Sequence, residues 1–191
     1  MKLAAIALAV PTLLFGWLHV RDERLQSRLE AVASAVAGRQ VSVDCQGLLA
    51  SLVDVQARHG EVRFDAAGVP EPRIFLNRPT CDRLRGLDGG ARGELECLRT
   101  VAWQASPALP PGSACYERAS PAIYAVLVLA HEAYHTAGVT SEATANCYAV
   151  QAMAFTAGRL GTSAEDGLLL ARAMAELAPL QRGEYATSEC R

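Results

Sequence analysis

The sequence predicts an α+β fold, with a small sheet in the first half of the chain and helices behind it. Short alternating runs rich in β-branched and aromatic residues occur at 40–45, 61–65 and 72–78, bounded by glycine and proline. Longer segments with apolar residues at helical spacing follow, as far as residue 177. The chain has 191 residues, which is enough for one domain with a sizeable core.

The first segment of the chain predicts a membrane anchor. Residues 3–20 carry no charge and lie between Lys2 and Arg21. As a helix they reach roughly 27 Å, just short of a hydrocarbon core of roughly 30 Å. A cleaved signal peptide is the alternative, but a charged stretch follows at once and the first A-x-A pattern comes only at 31–38. We therefore predict an uncleaved signal anchor at 1–21, with a secreted protein as the outcome if the segment is cleaved.

The next segment, residues 22–39, predicts an amphipathic helix that ends at Gly38. We interpret it as a solvated stalk between the anchor and a domain at 40–191. The arginines after the anchor slightly favour a cytoplasmic domain. The six cysteines favour an oxidising compartment, because their number is even and they are spread over the domain. Their spacings form no CxxC pair, which argues against a zinc site made of cysteines alone. We predict a single-pass protein of the cell membrane with its domain outside the cytoplasm.

The cysteines allow fifteen disulfide pairings. The expected set is Cys45–Cys81, Cys97–Cys115 and Cys147–Cys190, in which the second pair closes a proline-rich loop. The charge balance points to no polyanionic partner. Lys and Arg number 18 against 20 Asp and Glu, and neither sign forms a block, so no nucleic-acid binding is expected.

The domain should begin with a short strand, or the entry to one, at 40–45, followed by a helix at 46–60 that is stopped by Gly60. The runs at 61–65 and 72–78 flank a Gly/Pro loop and predict a hairpin. Helices are expected around the segments CDRLRGL and LECLRTVAW, followed by a loop up to Cys115.

A buried central helix is predicted for 119–138. Ser120 is expected to cap it, Pro121 fits its first turn and Gly138 fits the left-handed position after its last turn. Residues 122–130 are apolar on every face, as in a helix enclosed by the core.

The end of that helix carries His131, Glu132 and His135, the pattern H-E-x-x-H. Residues four apart project from one helix face, so both imidazoles can bind one zinc ion, and Glu132 can act as general base on a water at that ion. The alternative is a pair of core histidines with ordinary hydrogen bonds. A catalytic zinc needs a third protein ligand. Glu142 opens a second helix after a tight corner that Thr140 or Ser141 can cap, and a third helix is predicted at 163–177.

The segment HEAYHTAGVTSEATANCYAVQ resembles the gluzincin metallopeptidases, in which H-E-x-x-H precedes a helix bearing E-x-x-A-D. It is most similar to uncharacterised, membrane-anchored actinobacterial proteins with compact zincin-like motifs. The resemblance implies a zincin-like domain, with Glu142 as third zinc ligand and Asn146 in place of the acid that supports a ligand histidine. The substitution of Asn for Asp and the short spacing between His135 and Glu142 depart from the family pattern.

From these observations we expect a zinc-dependent metallopeptidase of the cell envelope that acts on a peptide or protein substrate. The alternative is a non-catalytic envelope interaction protein with a structural or vestigial metal site. An oxyanion donor is not evident, since aromatic residues in buried helices usually belong to the core, and each tyrosine is better explained in that way. The tyrosines considered are Tyr124, Tyr134, Tyr148 and Tyr185. Residues 73–77 are expected either to bind substrate as an edge strand or only to roof the core.

Overall fold

The computed structural model describes residues 2–47, 59–88, 92–102, 112–178 and 183–185. Within these residues, six α-helices and a three-stranded sheet form the predicted α+β fold. The helices are α1 (Lys2–Ala37), α2 (Arg78–Asp88), α3 (Arg92–Ala102), α4 (Ala114–Thr136), α5 (Glu142–Arg159) and α6 (Ala164–Leu177), followed by a 3₁₀ turn (Gly183–Tyr185). The strands are β1 (Ser42–Cys45), β2 (Gly60–Phe64) and β3 (Pro70–Leu76).

In the sheet, β3 is central, with β1 parallel on one side and β2 antiparallel on the other. The hairpin predicted for 61–65 and 72–78 is therefore confirmed as β2 and β3, and the strand predicted at 40–45 is confirmed as β1. The helix predicted at 46–60 lies largely at 48–58, outside the described residues.

The second half of α1 belongs to the domain. Its buried apolar residues are Leu25, Leu29, Val32 and Ala33. The Ser34 hydroxyl accepts a hydrogen bond of 3.0 Å from the Val41 N–H, which ties the helix to the chain entering β1. The helix ends where predicted, before Gly38 at a φ of 65°. These contacts correct the expectation of a solvated stalk at 22–39, because β1 and α4 cover the apolar side of the helix.

The anchor predicted for residues 1–21 falls mostly on residues 1–19, whose side chains lie outside the described part of the chain. Among the described residues, none of the helices combines the length and the apolar character needed to cross a bilayer. The anchor stays a prediction.

Disulfides join the sheet and helices in the predicted pattern. Cys45–Cys81 links β1 to α2, and Cys97–Cys115 links α3 to α4. Cys147 of α5 is disulfide-bonded as well. Its predicted partner, Cys190, lies outside the described residues.

The central helix α4 begins earlier than predicted. Ser113 caps it by accepting a hydrogen bond of 3.2 Å from the Tyr116 N–H, so the expected cap at Ser120 is wrong. Pro121 lies inside the helix, where its ring removes one backbone hydrogen bond. The Ser113 cap supports the first turn by satisfying the Tyr116 amide, and the disulfide Cys97–Cys115 joins this turn to α3.

Two helices follow α4 and pack on it and on each other. The predicted caps are confirmed, since Ser141 begins α5 and Ser163 begins α6. A Cβ at Gly167 of α6 would lie 3.1 Å from the carbonyl oxygen of Ala154, so the two helices approach closely at this glycine. α5 therefore lies between α4 and α6 and contacts both helices.

Candidate metal centre

The two histidines of the H-E-x-x-H segment lie on one face of α4, near its C-terminal end. His131 is 7% exposed and His135 is 4% exposed. Their Nε2 atoms are 2.9 Å apart. Both rings therefore point at the same spot, as their spacing on the helix predicts.

The corner between α4 and α5 brings Glu142 to that spot. The Gly138 N–H donates to the His135 carbonyl at 2.9 Å and the Val139 N–H donates to the Tyr134 carbonyl at 3.1 Å. This pair of bonds is the Schellman motif, and Gly138 has the left-handed conformation it requires, with a φ of 97°. The chain reverses there, and Glu142 opens α5 facing back towards α4.

Glu142 completes a three-residue cluster with the two histidines. Its Oε2 lies 2.9 Å from the Nε2 of His131 and 3.3 Å from the Nε2 of His135. The structure thus brings together the three residues that the sequence predicts as metal ligands.

The same corner orients the ring of His135. Its Nδ1 lies 2.6 Å from the Val139 carbonyl oxygen. Because a carbonyl only accepts hydrogen bonds, Nδ1 carries the proton, which leaves the lone pair of Nε2 directed into the cluster. A backbone carbonyl that holds the outer nitrogen is a common support for a metal-binding histidine.

Burial lowers the pKa of His131, and the neighbouring His135 lowers it further, while Glu142 opposes both effects. A lowered pKa keeps the imidazole neutral at pH 7, which is the form that binds metals.

The cluster fits a small tetrahedral cation. Zinc bonds of about 2.0–2.2 Å separate neighbouring ligand atoms by roughly 3.3 Å. The three separations observed, 2.9, 2.9 and 3.3 Å, are close to that value. Two imidazoles with one carboxylate is also a donor set typical of catalytic zinc.

Glu132 lies beside the cluster, between α4 and β2. It is 7% exposed. A Cβ at Gly60 would stand 2.9 Å from Oε1 of Glu132 and 2.7 Å from its Cγ, so only glycine leaves room for this carboxyl. The Val62 backbone forms a hydrogen bond with the carboxylate.

Burial raises the pKa of the Glu132 carboxyl to about 8, and the negative charges of Glu142 and Glu61 act in the same direction. The hydrogen bond from Val62 acts the other way. A cation held by the cluster would favour the ionised carboxylate. A carboxyl that titrates near neutral pH is suited to accept and return a proton.

The cluster opens into a cleft of about 510 Å³. One wall is α4 with the first turns of α5, and the facing wall is β2. The 3₁₀ turn reaches the cleft through Tyr185. The lining residues are His59, Gly60, Glu61, Val62, Phe64, Tyr124, Leu127, Val128, His131, Glu132, His135, Glu142, Asn146 and Tyr185.

The four tyrosines considered as oxyanion donors fall into two pairs. Tyr124 and Tyr185 line the cleft. Tyr134 and Tyr148 pack against each other with ring centroids 5.3 Å apart, and neither is among the residues that line the cleft. Of these four tyrosines, Tyr124 and Tyr185 are therefore the two that can contact a molecule bound at the cluster.

Asn146 lines the cleft one turn after Glu142 and is 2% exposed. Its Nδ2 donates a hydrogen bond of 2.9 Å to the backbone carbonyl of Tyr185. The predicted support of a ligand histidine by Asn146 stays a prediction.

The edge strand beside the cleft is β2, and not residues 73–77 as the sequence suggests. Those residues belong mainly to β3, which has a partner on both sides. The His59 carbonyl accepts from the Asn77 N–H and so faces β3, whereas the Val62 N–H faces Glu132. Alternate backbone groups of β2 therefore point into the cleft.

Two residues that shape the site are not identified from the sequence: Gly60 is interpreted only as a helix stop, and Val139 is given no role. Gly60 follows the predicted helix and precedes a strand, and this position is the one local signal that it marks a close approach of two elements.

Comparison with protein-family models, with curated proteins and with solved structures found no match to this chain.

Proposed function

We propose that the protein is a zinc-dependent hydrolase of peptide bonds. One observation carries the proposal: the nitrogen and oxygen atoms of His131, His135 and Glu142 converge at ligand spacing on an open cleft, with the carboxyl of Glu132 beside them. This arrangement agrees with the resemblance of the segment to gluzincin metallopeptidases. That the chain belongs to this family and that the metal is zinc are both parts of the proposal.

The roles of the residues follow from their places. A zinc ion held by His131, His135 and Glu142 supplies Lewis acidity for the substrate carbonyl and for water. Glu132 accepts the proton of the attacking water at its carboxylate and delivers it to the leaving nitrogen. Tyr124 could donate a hydrogen bond to the substrate oxygen. Burial raises the pKa of its phenol, so the hydroxyl keeps the proton that it would donate.

Substrate would bind as an extended chain along β2. The outward backbone groups of this edge strand offer hydrogen bonds to a peptide, whichever side chains it carries. The α4 wall opposite β2 contributes the apolar side chains of Leu127 and Val128. We propose a peptide or protein as the substrate, with no narrower class.

For location we propose a signal anchor at 1–21 and a domain outside the cytoplasm at the cell membrane. The disulfides Cys45–Cys81 and Cys97–Cys115 support an oxidising compartment.

The experiment that tests the function is zinc analysis of the purified chain with a screen against a broad peptide library. We expect about one zinc per chain, lost in His131→Ala and His135→Ala. His59→Ala is the matched control, because His59 lines the cleft outside the cluster and its loss should leave zinc bound. A wild-type protein without zinc would overturn the proposal.

A second function, an envelope interaction protein with a structural metal, is favoured by one observation. The carboxyl of Glu132 packs against Gly60 and bonds to Val62, as a purely structural side chain does. Glu132→Gln separates the two functions. If the variant keeps zinc and loses a peptidase activity present in the wild type, the enzyme is supported. If the wild type holds zinc and cleaves nothing in the library, the interaction protein is supported instead.

A further inference from the structure

The 3₁₀ turn Gly183–Tyr185 lies against α5 next to the metal cluster. The ring of Tyr185 has its centroid 5.9 Å from that of His131, with the two planes tilted by 49°. Tyr185 is 43% exposed and lines the cleft. Much of its ring is therefore open to a molecule bound beside His131.

Asn146 attaches this turn to α5. Its side chain is almost fully buried, and its Nδ2 donates to the Tyr185 carbonyl across 39 positions of sequence. A carbonyl oxygen only accepts, so the amide nitrogen must face it. A buried donor of this kind is costly to leave without an acceptor, which gives the contact a definite energetic value.

We propose that Asn146 is a positioning residue that acts through Tyr185: it fastens the turn to α5 and so places the Tyr185 ring in the substrate-binding wall beside His131. The effect on catalysis rests on the proposed hydrolase function. The fastening itself does not, because it is a property of the folded chain.

The identity of residue 146 follows from this role. The gluzincin pattern carries Asp at the position of Asn146, yet a carboxylate has no proton to donate to the Tyr185 carbonyl. An Asp here would also place a buried negative charge one turn from the carboxylate of Glu142. Asn is the residue of similar shape that supplies the donor.

Hydrogen exchange of the full chain tests the fastening in Asn146→Asp and Asn146→Ala. We expect amides of 183–185 to exchange roughly three- to tenfold faster in both variants, the equivalent of one net hydrogen bond. Amides of α4 should stay protected, which shows that the fold is kept. If either variant folds and 183–185 exchange as in the wild type, the proposal is wrong.

Asn77→Asp is the matched control. Asn77 accepts from the Thr80 N–H through its Oδ1 at 2.9 Å, and a carboxylate can accept the same bond. The identical chemical change should therefore leave exchange at 183–185 unaltered. Faster exchange there in Asn77→Asp would show that the effect is general, and would also overturn the proposal.

A double-mutant cycle with Tyr185→Ala tests the route to catalysis. If Asn146 acts through the ring of Tyr185, the substitution Asn146→Ala should lower kcat/KM for a cleaved peptide when it is made in the wild-type protein. The same substitution made in the Tyr185→Ala variant should have little further effect. Zinc content should stay at about one per chain in all three variants. Additive losses in kcat/KM would contradict the proposal.

Failure of the two proposals can be told apart. A chain that lacks zinc or cleaves nothing refutes the hydrolase, while the exchange experiment still reports on Asn146. Unchanged exchange in a zinc-containing, active enzyme refutes only the positioning role.

Discussion

The two walls of the cleft differ in how far apart in sequence their residues lie. The ligand wall comes from one helix end and one corner, with His131 and Glu142 only 11 positions apart. The facing wall comes from β2, far earlier in the chain, and from the turn at Tyr185, 39 positions after Asn146. The cluster of His131, His135 and Glu142 is thus a product of local structure, whereas the β2 wall depends on tertiary packing.

This difference predicts that mutations can separate metal binding from turnover. Changes in the corner should weaken zinc binding. Changes at β2 or at the 3₁₀ turn should spare zinc and impair the handling of substrate.

The largest effect is expected from Gly60→Ala in the β2 wall. The new Cβ would stand 2.7 Å from both Glu132 Cγ and Val128 Cγ1, so side chains or strand must shift. We expect unfolding free energy to fall by about 1–3 kcal/mol and peptide hydrolysis to be strongly reduced, with zinc still bound. Urea unfolding, zinc analysis and kinetics measure the three quantities.

Gly86→Ala is the control for this change, because Gly86 lies in α2 and an added Cβ would enter open space. It should leave stability equal or slightly higher, as alanine favours helix over glycine. Loss of zinc in Gly60→Ala at the same level as in His131→Ala would show that the walls are not separable.

A smaller effect is expected from Gly138→Ala in the corner. The left-handed φ of 97° costs a residue with a Cβ about 1–2 kcal/mol. The Schellman turn carries both Glu142 and the Val139 carbonyl, so we expect zinc affinity to fall roughly tenfold or more. Competition with a chelator measures that affinity.

The matched change is Gly158→Ala near the end of α5, where no atoms crowd the new Cβ and φ is ordinary. We expect unchanged zinc affinity there. Equal zinc affinity in Gly138→Ala and Gly158→Ala would show that the corner between α4 and α5 does not position the zinc ligands.

The smallest effect is expected away from the cleft, at Asp166 of α6. Hydrogen bonds of 2.9 Å from Arg99 hold the pKa of this carboxyl below its usual value. A depressed folded pKa contributes stability above the unfolded pKa of about 3.9, and the contribution is lost as pH falls through the folded value.

Asp166→Asn should therefore lower the thermal midpoint slightly at pH 7, and the difference from wild type should shrink below about pH 4, where the unfolded carboxyl becomes protonated. Zinc content should not change, since Asp166 lies outside the cleft lining. A difference that is constant from pH 7 to pH 2 would contradict the role given to the charge.

The ligand wall could be predicted because each step is local. Helical spacing sets His131 and His135 on one face, Gly138 reverses the chain, and Ser141 begins the next helix with Glu142 in its first turn. The cap of α4 was mispredicted for a local reason as well. Ser120–Pro121 resembles a helix start, whereas the hydrogen bond from the Tyr116 N–H to Ser113 shows that the helix begins earlier.

The facing wall could not be predicted because the sequence of a single strand does not determine the order of strands in the sheet. Residues 73–77 and 61–65 both alternate as edge strands do, and the parallel pairing of β1 with β3 decides which of them stays open. The partner of Asn146 depends likewise on where the chain returns after α6. The support of a ligand histidine that the gluzincin resemblance implies for Asn146 stays a prediction, and its hydrogen bond to the Tyr185 carbonyl could not be predicted from the sequence.

The most direct test of the central claim is zinc X-ray absorption on the purified full chain. The account predicts two imidazole nitrogens and a carboxylate oxygen at about 2.0–2.2 Å from the zinc, and no bound zinc in His135→Ala. A spectrum dominated by sulfur near 2.3 Å, or a chain that retains no zinc, would contradict it.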